Sequence, residues 1–463
     1  MSPHQELQEQ PIGKLLWKFS LPAVIGMTVN SLYNIVDRIF VGRGVGPIGI
    51  AATTVAFPIM IVFFSVSVLI GIGSTALISI RLGQRKYEEA EKILGNGTIM
   101  LVILPLVLSI FYYLFAERIL VFFGSSPEVL PYARDYTDII ALGTVFGAIS
   151  VGMTNYIRAD GSPTIAMLSQ ILGGVTNVIL NYVFTFKMGT GIKGLAWATI
   201  AGQFASSVWV LSYFLRGRSS IKLHFKNLRP QLAIIFKIFS IGFAPFGLQM
   251  ANSVQQVILN KTLQEHGGDM ALSAVGIILS VATILFMPVV GVSQGAQPII
   301  GYNYGAEEYD RVKETLKKAI IVATCMVLIN YVIIHIWPAQ IIGLFNKEPW
   351  LIALTEPAML VYFTMMPVIG FQIICSNYFQ AVGKPVHSTI LSLSRQILFF
   401  IPLLLILPNY WGIEGIWRTP PIADSCAVIL TAILITREMK HLPKKASAES
   451  HDHNEDLVEQ VEN

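Results

Sequence analysis

Charged residues are scarce in this sequence. Asp, Glu, Lys and Arg make up only 13% of its 463 residues, whereas about 25% is usual in soluble domains. Hydrophobic residues make up 54%. Over so long a chain these proportions exclude a soluble enzyme, a disordered protein and a fibrous repeat. What remains is a polytopic membrane protein.

Cysteine and net charge are also low. The three cysteines fall within apolar stretches and form no CxxC pair, which excludes a disulfide framework and a cysteine metal site. The net charge of +4 is too small to indicate a nucleic-acid partner. No P-loop is present, so ATP is not the direct energy source. We also expect no cofactor, no resident metal and no enzymatic activity. The first ten residues are polar, so we expect no cleavable signal peptide.

Twelve long apolar runs are present. Each is long enough to cross a hydrocarbon layer of about 30 Å, which takes roughly 20 helical residues. Such runs must be helices, since a lipid-exposed backbone has to satisfy its own hydrogen bonds. The sequence therefore predicts an all-α integral membrane protein. The runs cover residues 15–41, 48–80, 92–115, 132–158, 162–186, 192–215, 233–260, 269–302, 311–338, 354–382, 386–408 and 413–437.

Lysine and arginine are distributed unequally between the two sides of these spans. Of the 32 basic residues, 22 lie on the side of the N-terminus and eight on the other side, while Arg395 and Arg418 fall within spans. Positively charged loops remain in the cytoplasm. This distribution predicts a multi-pass protein with both termini in the cytoplasm.

The two halves of the chain repeat. NYIRADGSP at 155–163 matches NYFQAVGKP at 377–385, an offset of 222 residues, and Gly83 matches Gly305 at the same offset. Each repeat holds six spans, so both insert with the same orientation. We therefore predict two six-helix lobes related by a pseudo-two-fold axis along the membrane normal.

The repeat and the charge runs suggest a domain organisation. The tail is rich in Asp and Glu, and we expect it to be disordered. The predicted parts are a cytoplasmic N-terminus at 1–14, an N-terminal lobe at 15–215, a basic cytoplasmic linker at 216–232, a C-terminal lobe at 233–438 and the acidic cytoplasmic tail at 439–463.

Two lobes of like orientation are typical of a carrier that rocks about a site between them. Without an ATP-binding motif, an ion gradient has to supply the energy, and ionisable residues within spans become the candidates for coupling. Asp37 is the foremost candidate, because Asn30, Tyr33 and Asn34 share its helical face and could help its carboxyl exchange a proton. The alternative is a solvated carboxylate beside Arg38 near the outer end of the span.

Asp424 in the last span is the second candidate. The alternative for Asp424 is a local ion pair with Arg418 or Arg395. We expect the Pro420–Pro421 pair to break this helix.

The residues described so far resemble the multidrug and toxic compound extrusion (MATE) transporters, in particular the prokaryotic DinF-like and MepA-like branches. The resemblance covers roughly residues 12–438. It rests on FSLPAVIG and NSLYNIVDRIFVGR in span 1, RADGSP and QAVGKP in the two repeats, NVILN in span 5, and GIKGLAWAT entering span 6.

This resemblance implies cation-coupled export of organic compounds that are often cationic and amphipathic. The family's N-lobe aspartate falls on Asp37, its assisting span-5 asparagine on Asn177 and its span-6 threonine on Thr199. Tyr136 is a looser match. We expect Met and amide side chains to line the substrate cavity, with ordinary packing as the alternative. The residues assigned to this cavity are Asn30, Tyr33, Asn34, Tyr136, Met153, Asn155, Met250, Gln256 and Met287.

The chain departs from the family pattern at the sites of its acidic residues. Many relatives have Asp-Pro in span 5, where this sequence has Asn181-Tyr182, and the acidic residues that another branch has in spans 7 and 10 are missing. A single carboxylate among neutral oxygens favours H⁺ as the coupling ion. Na⁺ held by Asp37 with Asn177, Asn181 and Thr199 is the alternative.

The sequence therefore predicts a monomeric H⁺-coupled multidrug antiporter in a prokaryotic cytoplasmic membrane, with small organic molecules as substrates. An exporter of a specific metabolite or a lipid-linked sugar is an alternative. A pyrophosphate headgroup would require several interior cations, and the spans offer only Arg395 and Arg418. A non-transporting scaffold or receptor is a further alternative, but the polar face around Asp37 argues against it.

Overall fold

The computed structural model describes residues 3–217 and 219–443, without the side chains of residues 3–5, Asn34 and Asp269. Every regular element in this part of the chain is helical. Eleven continuous helices are long and apolar enough to cross a membrane, and a twelfth span consists of two helices bent by 50°. The prediction of an all-α protein with twelve spans is confirmed.

The spans are numbered α1 to α12 in chain order. Short helices at Pro3–Glu9 and Pro338–Gly343 and a 3₁₀ turn at Phe225–Leu228 lie outside them. The spans are α1 Ile12–Gly44, α2 Pro47–Gly83, α3 Tyr87–Phe122, α4 Leu130–Ala159, α5 Pro163–Lys187, α6 Gly191–Leu215, α7 Leu232–Gly268, α8 Met270–Gly305, α9 Tyr309–Ile336, α10 Pro349–Tyr362 with Met366–Ala381, α11 Pro385–Trp411 and α12 Ile413–His441.

Most helices extend beyond the apolar runs that predicted them. Hydropathy marks only the part of a helix inside hydrocarbon, whereas the helix itself continues until its backbone turns. For example, α12 continues to His441, three residues beyond the predicted end of the C-terminal lobe. Residues 444–463 of the predicted acidic tail lie outside the described residues.

The predicted break at Pro420–Pro421 is wrong, because α12 is helical through both residues. The hydroxyl of Thr419 donates to the carbonyl oxygen of Gly415 at 2.9 Å, and that of Ser425 donates to the carbonyl oxygen of Pro421 at 2.7 Å. Hydroxyl donors of this kind, together with packing against neighbouring helices, let a membrane helix accommodate proline.

Small residues join the two lobes in a reciprocal pattern. A Cβ on Gly83 would lie 2.0 Å from the carbonyl oxygen of Tyr302, and a Cβ on Gly305 would lie 2.1 Å from that of Ile80. Both glycines and both carbonyls are separated by the 222-residue repeat. Each lobe thus presents the same surface to the other, as a two-fold relationship requires.

These contacts lie toward one end of the bundle. Gly73 near the end of α2 packs on the backbone of Gly242 near the start of α7. In the other half of the repeat, Gly295 packs on Ser20 near the start of α1. Because α1 and α7 begin on the side of the N-terminus and α2 and α8 end there, the lobes are pressed together at the end predicted to be cytoplasmic.

The N-terminal segment packs against the C-terminal lobe at this same end. Leu7 in the short helix Pro3–Glu9 is fully buried. Arg311 at the start of α9 donates from Nη2 to the carbonyl oxygens of Leu7 at 3.0 Å and Gln10 at 2.8 Å. The segment therefore links the two lobes in addition to preceding α1.

Candidate functional site

A polar cluster occupies the interior of the N-terminal lobe. Asn177 and Asn181 lie one turn apart on α5, so both amides project from the same face of the helix. They meet Asp37 from α1 and Thr199 from α6. The cluster lies in the half of the lobe away from the N-terminus, because Asp37 is near the end of α1 and Thr199 is near the start of α6.

A chain of hydrogen bonds connects these side chains. Asn181 Nδ2 donates to Asp37 Oδ1 at 2.8 Å and to Asn177 Oδ1 at 3.1 Å. Asn177 Nδ2 donates to Thr199 Oγ1 at 3.3 Å. Both amides are buried, whereas Asp37 is half-buried. The carboxyl is therefore bonded directly to Asn181 and, through that amide, is connected to Asn177 and then to Thr199.

No cation within 4 Å neutralises Asp37 among the described residues. Its neighbour Arg38 instead places its guanidinium over the ring of Phe57, 5.9 Å from the centroid. A carboxyl with one amide donor and no ion-pair partner can carry a proton or can contribute an oxygen to a cation. The geometry thus suits ion coupling of either kind.

Tyr136 also belongs to this cluster. It is buried at the start of α4 and lies next to Asp37, Tyr33 and Thr199. Tyr33 and Asn30 on α1 are half-buried. The side chain of Asn34 lies outside the described residues. The structure thus brings Tyr136 and Tyr33 together with the four predicted coupling residues.

The other predicted cavity residues lie in different surroundings. Met153 is fully buried in the hydrophobic core, and Asn155 accepts a hydrogen bond from Arg158. Gln256 is exposed on α7 and bonds to a side chain of its own helix. Met250 and Met287 are half-buried on α7 and α8. These residues do not form one cluster with Asp37.

Arg158 is an interior cation, although its position at the end of an apolar run places it among the 22 basic residues on the side of the N-terminus. Only 3% of it is exposed. Its Nη1 donates to Asn155 Oδ1 at 2.8 Å in its own lobe and to Gln294 Oε1 at 2.5 Å in the other lobe. The signal that could have revealed it is its spacing from Asn155, one helical turn away within the same repeat motif.

The C-terminal lobe contains a buried ion pair. Arg395 Nε donates to Asp424 Oδ1 at 2.5 Å, and only 2% of the Asp424 side chain is exposed. Arg418, the other partner considered for Asp424, pairs instead with Glu414 at 2.9 Å and lies exposed near the start of α12. The local ion pair of Asp424 is thus formed with Arg395.

The MatE family model matches residues 22–183 and 233–406, one segment in each lobe. Among curated proteins, the multidrug export protein MepA of Staphylococcus haemolyticus (strain JCSC1435) is 24% identical over 428 residues, which are 92% of this chain and 94% of MepA. MepA of Staphylococcus aureus (strain MRSA252) is 22% identical over the same length, with the same shares covered.

Solved structures agree with this match. The MATE multidrug transporter DinF-BH, solved in complex with a ligand, is 36% identical, with a TM-score of 0.87 and with 93% of this chain and 96% of that one covered. A MATE structure in the bent conformation is 22% identical, with a TM-score of 0.90 and shares of 96% and 98%, and it shows the fold alone. The chain therefore belongs to the MATE family, whose members are membrane transporters and not enzymes.

Proposed function

We propose that the protein exports organic, often cationic and amphipathic, compounds in exchange for H⁺, with Asp37 as the group that takes up and releases the proton. The observation that carries this proposal is the Asp37–Asn181 hydrogen bond inside a lobe, where no basic side chain within 4 Å pairs with the carboxyl among the described residues. The names of the relatives, a multidrug export protein and a multidrug transporter, support the substrate class.

Alternating access is the proposed mechanism. The close glycine contacts between the lobes lie at the end predicted to be cytoplasmic, which is the arrangement expected of a carrier closed on that side. Protonation of Asp37 from outside would change its bond with Asn181 and repack α1, α5 and α6. This repacking would release the substrate outward, after which the lobes reorient to take up the next one.

The proposed location is a prokaryotic cytoplasmic membrane, with both termini in the cytoplasm and the monomer as the working unit. The unequal distribution of Lys and Arg supports this orientation. The MepA relatives come from staphylococci, which supports a bacterial setting.

Coupling to Na⁺ is the second candidate, and one observation favours it. Asn181 Oδ1 is buried and accepts no hydrogen bond from any described residue. It belongs to the same amide whose nitrogen contacts Asp37 Oδ1 and Asn177 Oδ1, so a flip of this amide would turn a third oxygen toward those two. Oxygen ligands of this kind suit a hard cation.

Ethidium uptake into inverted membrane vesicles shows whether H⁺ or Na⁺ is the coupling ion. Vesicles containing the protein are given a pH gradient without Na⁺, and then a Na⁺ gradient at equal pH. The proposal predicts ethidium uptake with the pH gradient alone. Uptake driven only by the Na⁺ gradient would favour Na⁺ coupling at the oxygens around Asn181. The proposal would be overturned if neither gradient drove uptake.

A further inference from the structure

The Arg395–Asp424 pair lies near the middle of the membrane. Arg395 is about 15 Å along α11 from its cytoplasmic end, and Asp424 is about 16 Å along α12 from its outer end, at 1.5 Å per residue. A charged group at this depth costs about 2.5–3.5 kcal/mol on insertion scales and is a functional candidate. Transporters of this architecture bind substrates at this depth.

The fold does not require this pair. Arg395 corresponds in the N-terminal lobe to Gly173 at the offset of 222, and Asp424 corresponds to Gln203 at the offset of 221 that relates Gly194 to Gly415. A Cβ on Gly173 would lie 3.2 Å from the carbonyl oxygen of Gly202. The same two helices therefore pack closely in the other lobe without any charge.

Side chains from neighbouring helices surround the Arg395–Asp424 pair. Gln396, next to Arg395, donates to Asn252 Oδ1 on α7 at 2.6 Å. Tyr362 on α10 lies near both Arg395 and Asp424. Helices α7, α10, α11 and α12 thus enclose the pair, and they are the repeat equivalents of α1, α4, α5 and α6 around Asp37. The pair lines the interior of the C-terminal lobe.

The guanidinium is held on one edge and accessible on the other. Asp424 is buried and binds Nε, whereas 26% of the Arg395 side chain is exposed. In the part of the chain that the structure describes, no acceptor contacts the two terminal nitrogens. Nearby, Gln396 Oε1 is buried and receives no hydrogen bond from a described residue. A fixed guanidinium with two free NH₂ groups in one plane matches the two oxygens of a carboxylate.

We infer that Arg395 receives the carboxylate of zwitterionic amphipathic substrates, so that the C-terminal lobe recognises anionic groups while the N-terminal lobe couples to the cation. Asp424 is the positioning residue that orients the guanidinium. This inference rests on the proposed export function and adds a substrate class to it.

Two dyes with the same cation test the inference. Rhodamine 6G is the ethyl ester of rhodamine 19, so the two differ by an ester against a carboxylate. Binding of each to the full-length protein in nanodiscs is measured by fluorescence anisotropy. The Arg395→Gln/Asp424→Asn double variant removes the guanidinium without leaving an unpaired buried charge. We expect its affinity for rhodamine 19 to fall at least about tenfold and its affinity for rhodamine 6G to change less than about twofold.

Two further variants complete the test. Arg395→Lys keeps the charge but loses the planar pair of donors, so an intermediate loss of rhodamine 19 affinity is expected. Arg418→Gln removes an exposed arginine near the start of α12, and it should leave the affinity for both dyes unchanged. Three results would overturn this inference but not the proposed function. They are an equal loss of affinity for both dyes in the double variant, an unchanged affinity for rhodamine 19 in that variant, and wild-type protein that binds only rhodamine 6G. Wild-type protein that binds neither dye overturns the proposed substrate class as well.

Discussion

Arg158 and Gln294 are hydrogen-bonded across the boundary between the two lobes. Arg158 Nη1 lies 2.5 Å from Gln294 Oε1, and no carboxylate within 4 Å pairs with Arg158 among the described residues. Both residues lie in the half of their helix on the side of the N-terminus, where the lobes pack closely together. Because the contact joins the two lobes, we expect it to stabilise the arrangement in which they are closed at this end.

Removal of the Gln294 amide should shift the protein toward the conformation open to the cytoplasm. A hydrogen bond to a charged group contributes about 1.5–3 kcal/mol, so Gln294→Ala should increase the open population about tenfold or more. The distance between spin labels at the exposed positions 85 and 307 measures this shift, in a protein whose native cysteines have been replaced. A larger open population increases the share of long distances. Asn155→Ala, which removes the partner in the same lobe, is the control. An unchanged distance distribution in Gln294→Ala would show that the contact does not stabilise closure.

The reciprocal glycines predict a second effect on closure. Gly83→Ala would place its Cβ 2.0 Å from the carbonyl oxygen of Tyr302, so the lobes must separate at the end predicted to be cytoplasmic. We expect dye efflux to fall about tenfold in a protein that still inserts. Gly276→Ala, in open space on α8, is the matched control and should leave efflux unchanged. Wild-type efflux from Gly83→Ala would mean that this contact does not limit closure.

Asp160 predicts a dependence of stability on pH. It lies in the loop between α4 and α5, fully buried, and accepts hydrogen bonds from Tyr213 Oη at 2.6 Å and from the Ser220 amide at 3.1 Å. Burial raises the pKa of this carboxyl from 3.8 to about 6, although the bonds from Tyr213 and Ser220 lower it. The folded state therefore binds the proton more readily than the unfolded state. The stabilisation from Asp160 is complete below pH 4 and is lost as pH rises through 6.

The stability of Asp160→Asn relative to wild type should therefore increase as the pH rises from 5 to 8. The neutral amide does not carry the desolvation cost of the charged carboxylate. Asp160→Ala should be less stable at both values, because the Tyr213 hydroxyl and the Ser220 amide lose their acceptor. Thermal unfolding in detergent, followed by tryptophan fluorescence, measures both variants. A difference between Asp160→Asn and wild type that is the same at pH 5 and pH 8 would contradict the raised pKa.

The helices and the candidate coupling residue were predictable because each depends on local pattern, and the repeat was predictable because matching segments recur at a constant offset of 222 residues. A carboxylate in an apolar run is visible in any sequence, which is why Asp37 was found. The partner of Asp424 was less obvious, but helical geometry excludes Arg418, because residues six apart on a helix point to different faces. Arg158 was missed because an arginine at the end of an apolar run looks cytoplasmic. Only tertiary packing shows that the other lobe covers it.

Asp37 is the residue proposed to couple export to the proton gradient. Asp37→Asn keeps the shape of the side chain and an oxygen for the Asn181 amide, but it cannot release a proton. Asp135→Asn is the matched control, because Asp135 is a surface residue paired with Lys193 at 3.2 Å.

Ethidium uptake into proteoliposomes tests this claim most directly. Uptake is measured under an imposed pH gradient for wild type, Asp37→Asn and Asp135→Asn. We predict gradient-driven uptake with wild type and Asp135→Asn, and none with Asp37→Asn, although that variant still binds ethidium. Gradient-driven uptake by Asp37→Asn at the wild-type rate would contradict the claim.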